Sequence, residues 1–262
     1  MIAAGLSASA CDNDDPEDSA TTNGATSGEM TGATTSETGG GATSTGSTGG
    51  CEELSCGLIH AYKFSAADAL SDEVGDADAT VISVSAVDQP GQIDAAWRFD
   101  AAAEDHVNLA PGMLHGLPAL TVCVWFRVDE LGMGTLFSWR SALDGGTLEQ
   151  SFSEIKWSVI SSVESGSIQA NAWHLVCGES DPALGDGLRL YIDGALVGDD
   201  LPREFTNDGD DPQVVIGADA DLFDASLTGH FSGLVDELYI WDRGLTAGEH
   251  AELAGLAGAA FW

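Results

Sequence analysis

The sequence predicts an all-β sandwich of two sheets from about residue 51 to the end of the chain. Two observations predict it. Short apolar or alternating segments recur at close spacing, each separated from the next by Gly, Asp, Asn or Pro. This pattern is typical of many short strands joined by turns. Helical periodicity is almost absent, because only one segment near the C-terminus has it.

The predicted strands follow one another through the domain. In chain order they are GLIHAYKF, ATVISVSAV, AAWRFD, DHVNLA, LTVCVWFRVDEL, GTLFSWRS, IKWSVISSV, AWHLVCGES, GLRLYIDGALVG, PQVVIGA and GLVDELYIWDR. Within YIDGAL, an Asp-Gly pair between apolar runs predicts a tight hairpin. The segment TAGEHAELAG predicts the helix, with Thr246 as its N-cap and Glu249 completing a capping box.

The first fifty residues have a different composition. Residues 1–11, MIAAGLSASAC, resemble the end of a bacterial lipoprotein signal, in which Ala8 to Cys11 form the lipobox and Cys11 receives the lipid. The alternative is an ordinary apolar N-terminus with a chance cysteine. Residues 12–50 are acidic and then rich in Thr, Gly and Ser. They lack the apolar groups that offset ordering entropy, so we expect a disordered linker before a folded domain at 51–262.

The formal net charge is −35 at pH 7. Such a surface repels nucleic acid and anionic membranes, so we expect no nucleic-acid partner and membrane association only through a lipid anchor. The same surface suits cations such as calcium, although the charge also has a simpler explanation in solubility alone.

The order of the predicted strands carries a resemblance to the laminin-G-like and pentraxin-like jelly rolls of the concanavalin A-like lectin and glucanase fold. It extends over about residues 57–255, and FSGLVDELYIWDRGLTAGEHAEL is its most specific part. The resemblance implies a two-sheet antiparallel jelly-roll sandwich. It also implies a disulfide between Cys123 and Cys177, for which the alternative is two buried free thiols. Cys51 and Cys56 are then expected to close a small loop, which leaves Cys11 for lipid. Disulfides imply an oxidising compartment.

The resemblance also suggests calcium as a cofactor. The pentraxin-like match assigns Asp219 and Asp221 as ligands, and the match to bacterial laminin-G-like domains places Asp72 and Asp78 near the last strand, where Asp236 lies. Acidic turns supply the oxygen ligands that calcium prefers. The alternative for Asp236 is a buried carboxylate that accepts backbone N–H bonds at a strand crossing. For Glu237 the expectation is a solvent-facing acid.

No catalytic set is evident in the sequence. Asp236 and Glu237 are adjacent, so strand alternation is expected to send them to opposite faces, whereas paired-carboxylate hydrolysis needs both acids on one face. Glu154 and Lys156 are the one acid and base with even spacing that we expect on a concave face, and an exposed ion pair explains them equally well. Trp139 and Trp157 are the residues predicted to contact a ligand, with core packing as the default alternative.

These observations favour a non-catalytic binding module for carbohydrate or protein, displayed by a lipoprotein on the outward-facing side of a bacterial cell envelope. A divergent glycoside hydrolase or lyase of the same fold is the first alternative. A structural or assembly subunit without a soluble ligand is the second.

Overall fold

A computed structural model describes residues 53–65, 71–140, 145–159, 161–166, 168–183, 187–200, 213–220 and 226–256. All of them lie in one unit of the chain, Thr48–Trp262. Within the described residues the secondary structure is almost entirely β. The strands are β1 Leu58–Tyr62, β2 Val81–Ser83, β3 Ala86–Pro90, β4 Ala95–Phe99, β5 His106–Asn108, β6 Leu120–Arg127, β7 Gly132–Arg140, β8 Gly145–Phe152, β9 Glu154–Val159, β10 Ser161–Gly166, β11 His174–Ser180, β12 Leu188–Ile192, β13 Ala195–Asp200, β14 Gln213–Ile216, β15 Asp219–Ala220, β16 Leu227–Thr228 and β17 Gly233–Trp241.

The described strands form two large antiparallel sheets, as the sequence predicts. One is eight-stranded in the order β13-β12-β11-β6-β17-β4-β3, with β1 paired to β17. The other is seven-stranded in the order β10-β9-β8-β7-β14-β5-β2. A short β15–β16 ribbon lies against β7 of the second sheet. The predicted jelly-roll sandwich is confirmed.

The main core fills the space between the two sheets. Trp97, Phe126, Phe137, Trp139 and Trp157 are among its buried rings. Because strand side chains alternate between faces, each sheet contributes every second residue to this layer. Removal of so many large apolar side chains from water is the main force that holds the sheets together.

A second apolar layer covers the outer face of the eight-stranded sheet. Tyr239 and Trp241 of β17 pack there against Leu54, which precedes β1, and against Leu253 of the C-terminal helix. That helix, α1, spans Ala247–Gly255. The indole of Trp241 donates to the backbone oxygen of Leu54 at 2.7 Å. This face of the sandwich is therefore occupied by the chain itself.

The locally encoded features match their sequence predictions. Thr246 caps α1 and forms a capping box with Glu249. Asp193 and Gly194 form the two-residue connection between β12 and β13, both with positive φ, as the favoured hairpin turns require. Cys123 of β6 lies opposite Cys177 of β11 in the register of adjacent strands, and the two form the predicted disulfide.

Candidate functional site

The two tryptophans predicted to contact a ligand are core residues instead. Trp139 is 1 % exposed and Trp157 is fully buried, with ring centroids 5.4 Å apart. The Trp157 ring fills the space above Gly178, where a Cβ would overlap it. Its indole N–H donates to the backbone oxygen of Glu179 at 3.0 Å. Both rings point between the sheets, so the prediction of ligand contact is wrong and the core alternative holds.

Asp72 organises its own loop. Its Oδ1 accepts from the N–H groups of Ala61 (3.1 Å) and Val74 (3.2 Å). Its Oδ2 lies 2.6 Å from His60 Nδ1 and accepts from the N–H of Ala77 at 3.2 Å. Burial alone would raise the pKa of Asp72, but hydrogen bonds from the loop backbone and from His60 outweigh it and lower the pKa below its usual value. Four hydrogen bonds occupy the lone pairs that a cation would need.

The other predicted calcium ligands do not join Asp72. Asp78 is exposed and accepts the N–H of Asp72 at 2.9 Å, while Asp219 lies 3.1 Å from the Arg140 guanidinium. Within the described ranges, no cluster of three or more side chains able to ligate a metal contains any of the predicted aspartates. The described donors therefore do not fit the calcium site that the sequence predicts. Asp221 lies outside the described residues, as do Cys11 and Cys51.

Asp236 lies where β17 exchanges one partner for another. Residues 233–235 pair with β4, and residues 238–241 pair with β1. At this fork, the Asp236 Oδ2 accepts from the N–H groups of Gln92 at 2.8 Å and Ile93 at 2.7 Å, both in the turn between β3 and β4. The structural alternative for Asp236, a buried acceptor at a strand crossing, is confirmed.

Glu237 departs from its prediction. It is 2 % exposed, so it is not a solvent-facing acid. Its φ is 47°, and it forms a β-bulge: Asp236 pairs with Trp125 and Leu238 with Val124, which leaves Glu237 without an opposite residue. The bulge interrupts the alternation on which the sequence argument relied. The two adjacent carboxylates interact electrostatically with each other, and both also interact with Asp94.

Burial dominates the protonation of this acid pair. It raises the pKa of Asp236 to about 7, against the opposing effect of the Ile93 and Gln92 hydrogen bonds. Burial and then the charge of Asp236 raise the pKa of Glu237 to about 8, and Lys63 acts in the opposite direction. Low dielectric and like charge both disfavour the ionisation of two carboxylates that interact with each other. The pair is thus a buried structural element that retains protons near neutral pH.

A cavity of about 270 Å³ opens on the outer face of the seven-stranded sheet. Its lining includes Thr135 of β7, Glu149 and Ser151 of β8, and Glu154 and Lys156 of β9. These residues alternate along their strands with residues that face the core. Glu149 lies opposite Lys156, and Ser151 lies opposite Glu154. Two carboxylates, an ammonium group and two hydroxyls therefore surround one space.

The sequence indicated only part of this cavity. Glu154 and Lys156 were expected on a concave face, and both line it. Glu149 was missed because even spacing within a single strand does not reveal an acid that comes from the neighbouring strand. The segment EQSFSEIK carries the signal: acids and polar residues at even spacing on both sides of a two-residue turn.

Comparison with protein families gives the same fold as the structure. The family model of the concanavalin A-like lectin/glucanases superfamily matches residues 101–249. The chain belongs to this superfamily. No curated protein sequence matches the chain. Among the described residues, no helix has the length and apolar character needed to cross a membrane.

Solved structures share the fold at low sequence identity. Domain 4 of AbnA, a GH43 extracellular arabinanase from Geobacillus stearothermophilus, is similar with a TM-score of 0.58 and 18% identity, over 75% of this chain and 98% of that chain. The binding domain of botulinum neurotoxin serotype G has a TM-score of 0.58 and 15% identity, over 76% of this chain and 50% of that chain. The botulinum neurotoxin DC binding domain, solved with rat synaptotagmin II, has a TM-score of 0.57 and 11% identity, over 76% and 51%. The chain thus spans about half the length of these toxin domains.

Proposed function

We propose that this chain is a non-catalytic binding module that holds a carbohydrate in the cavity on the outer face of the seven-stranded sheet. The observation that carries the proposal is the convergence of Glu149, Ser151, Glu154 and Lys156 on one open space. Sugars present several hydroxyls that both donate and accept, and a mixed set of carboxylate, ammonium and hydroxyl groups matches them. The central part of the other sheet's outer face is already covered by α1 and by the segment before β1.

The similar structures support a binding role. Domain 4 of the arabinanase was solved in complex with arabinotriose, and one botulinum neurotoxin structure concerns interaction with two ganglioside molecules. Another toxin domain was solved with the protein synaptotagmin II. The fold therefore accommodates glycan and protein ligands, and the hydroxyl-matching chemistry of this cavity favours a glycan.

Removing polar groups from the cavity is expected to weaken glycan binding. The full-length chain would be applied to an array of immobilised oligosaccharides, and the best-bound saccharide titrated by calorimetry. Lys156→Ala and Glu149→Gln are each expected to weaken binding by about tenfold or more, because hydrogen bonds to charged groups contribute at least about 1.4 kcal/mol. Including EDTA in a parallel titration tests the calcium prediction.

Asp199→Asn is the matched control, because Asp199 is exposed on β13, in the other sheet. It is expected to bind like the unmodified chain. If all three variants bind equally, the cavity is not the binding site. If no saccharide binds the unmodified chain, the carbohydrate proposal fails.

Hydrolysis is the second candidate function, and the β8–β9 pairing is the observation that favours it. Glu149 and Glu154 lie on one face and diagonal to each other across the hairpin. The backbones of diagonal neighbours are about 7–8 Å apart, a spacing that allows the two carboxyl groups to reach the roughly 6.5–9.5 Å separation of inverting glycosidases. New reducing ends from a polysaccharide panel, lost in both Glu149→Gln and Glu154→Gln, would establish hydrolysis and replace the non-catalytic proposal.

We also propose that a lipid on Cys11 anchors the chain to a membrane. This rests on the small residues before Cys11 and on the disulfide, which is typical of an oxidising compartment. Intact mass of the protein from a membrane fraction is expected to show lipid on Cys11, and Cys11→Ser is expected to move the protein to the soluble fraction. An unmodified mass at Cys11 would contradict the anchor and leave the binding proposal unaffected.

A further inference from the structure

Phe152 directly follows Ser151, which lines the cavity, and it occupies a position that folding does not explain. It is the last residue of β8 and forms the two-residue turn to β9 with Ser153, since Ser151 pairs with Glu154. Its side chain is 61 % exposed. A large aromatic ring stabilises a fold by being buried. Because most of the Phe152 side chain stays in water, it contributes little to the stability of this fold.

Phe152 also has a backbone conformation that is unusual for a phenylalanine. Its φ is 57°, and two-residue hairpin turns with positive φ at the first loop position favour glycine, asparagine or aspartate there. A bulky residue in this region is a strained exception. Two hydrogen bonds hold the turn in this conformation. Gln150 Nε2 donates to the backbone oxygen of Phe152 at 2.9 Å, and the backbone N–H of Ile168 donates to the backbone oxygen of Ser153 at 3.3 Å.

Two further apolar side chains accompany Phe152. Met133 lines the cavity opposite Ser151 and is 71 % exposed. Leu131, just before β7, is 41 % exposed. Gly132 between them pairs directly with Phe152. We call Leu131, Met133 and Phe152 the apolar shelf. Met133 belongs to the lining itself, and Leu131 and Phe152 are placed beside the lining by the chain and by the β7–β8 register.

An apolar shelf beside a polar lining matches the two sides of a sugar ring. One side of a pyranose presents polarised C–H groups, which are attracted to the negative face of an aromatic ring. The hydroxyls at its edge remain free to reach the carboxylates and the ammonium group. Strained residues that the fold does not need are characteristic of functional sites.

The charge of the site restricts the ligand further. The cavity lining contributes two acids and one lysine, and the whole chain carries −35. Such a field repels uronate, sulfate and sialate groups. We propose that Phe152 is a stacking residue that selects an uncharged saccharide and orients its ring against the cavity. This inference rests on the proposed function.

The variant Phe152→Gly separates a binding role from a structural one. Glycine relieves the positive φ, so the melting temperature is expected to rise or to stay unchanged. The affinity for the best-bound uncharged saccharide is expected to fall about tenfold, the factor that corresponds to a lost aromatic contact. Leu196→Ala is the matched control, because Leu196 is 52 % exposed on β13, in the other sheet, and binding by this variant is expected to be unchanged.

The probes are an array of uncharged, sulfated, sialylated and uronate oligosaccharides, spotted beside glycoproteins and their deglycosylated forms. One outcome separates the two proposals. Suppose that uncharged saccharides bind the unmodified chain, that Lys156→Ala no longer binds them and that Phe152→Gly still does. The stacking inference is then overturned, while the proposed function stands. Preference for the charged saccharides would overturn the predicted ligand class. If the chain binds intact and deglycosylated proteins equally and binds none of the saccharides on the array, the apolar shelf would be assigned to a protein partner. This result would overturn both proposals.

Discussion

Replacing Cys123 and Cys177 together by alanine is expected to lower the free energy of unfolding by about 4 kcal/mol. The disulfide joins residues 54 positions apart, and loop-closure entropy for a loop of this length gives a value of that order. Both sulfurs are buried in the apolar layer under α1, so alanine is preferable to serine, which would bury an unpaired hydroxyl. Urea unfolding followed by tryptophan fluorescence measures the change.

The variant that removes Cys51 and Cys56 is the control for this measurement. Cys51 lies outside the described residues, so that pairing stays a prediction; its short loop is expected to contribute only about half as much. Reducing the unmodified chain breaks both disulfides, so it is expected to lower the stability by the sum of the losses seen in the two variants. An unchanged unfolding midpoint after verified loss of this disulfide would show that the strand pairing of β6 and β11 is sufficient without the covalent link.

The stability of the domain is expected to fall as the pH rises from about 4 to about 8, because of the buried acid pair. Asp236 and Glu237 have pKa values of about 7 and 8 in the folded protein, above their unfolded values near 4. Between these limits the folded state binds more protons than the unfolded state, so deprotonation favours unfolding. The contribution of the protonated pair is fully present below about pH 4 and is lost by about pH 8, a change on the order of 4 kcal/mol for each acid.

Asp236→Asn tests the assignment of this pH dependence. The amide oxygen can still accept the N–H groups of Gln92 and Ile93, but one of the two titrating charges is gone. The variant is therefore expected to be more stable than the unmodified chain at pH 8 and to show a shallower pH profile. Asp76→Asn, at an exposed aspartate, is the control and is expected to leave the profile unchanged. A profile that remains equally steep in Asp236→Asn would show that other groups titrate.

Features encoded within one segment could be predicted from the sequence. The strands, the Asp193-Gly194 hairpin and the Thr246 cap each depend on a few neighbouring residues, and alternation is a local property of a strand. The pairing of Cys123 with Cys177 came from the resemblance to a family. These features were enough to define the fold.

The site depends on pairings between distant segments, and there the predictions failed. Whether a tryptophan faces the core or a ligand depends on which strand face is covered, and alternation alone does not decide this for Trp139 and Trp157. The bulge at Glu237 arises where β17 changes partner from β4 to β1, which no local pattern reveals. The cavity needs β8 beside β9, and so Glu149 became visible only in three dimensions.

The position of β17 has a consequence for biosynthesis. This strand, the last in the chain among the described residues, pairs with β6 along one edge and with β4 and β1 along the other. Without it, the eight-stranded sheet is divided into separate pieces. A nascent chain cannot close this sheet until β17 has been synthesised, and truncations that remove Gly233–Trp241 should leave chains that chaperones and proteases recognise as incompletely folded.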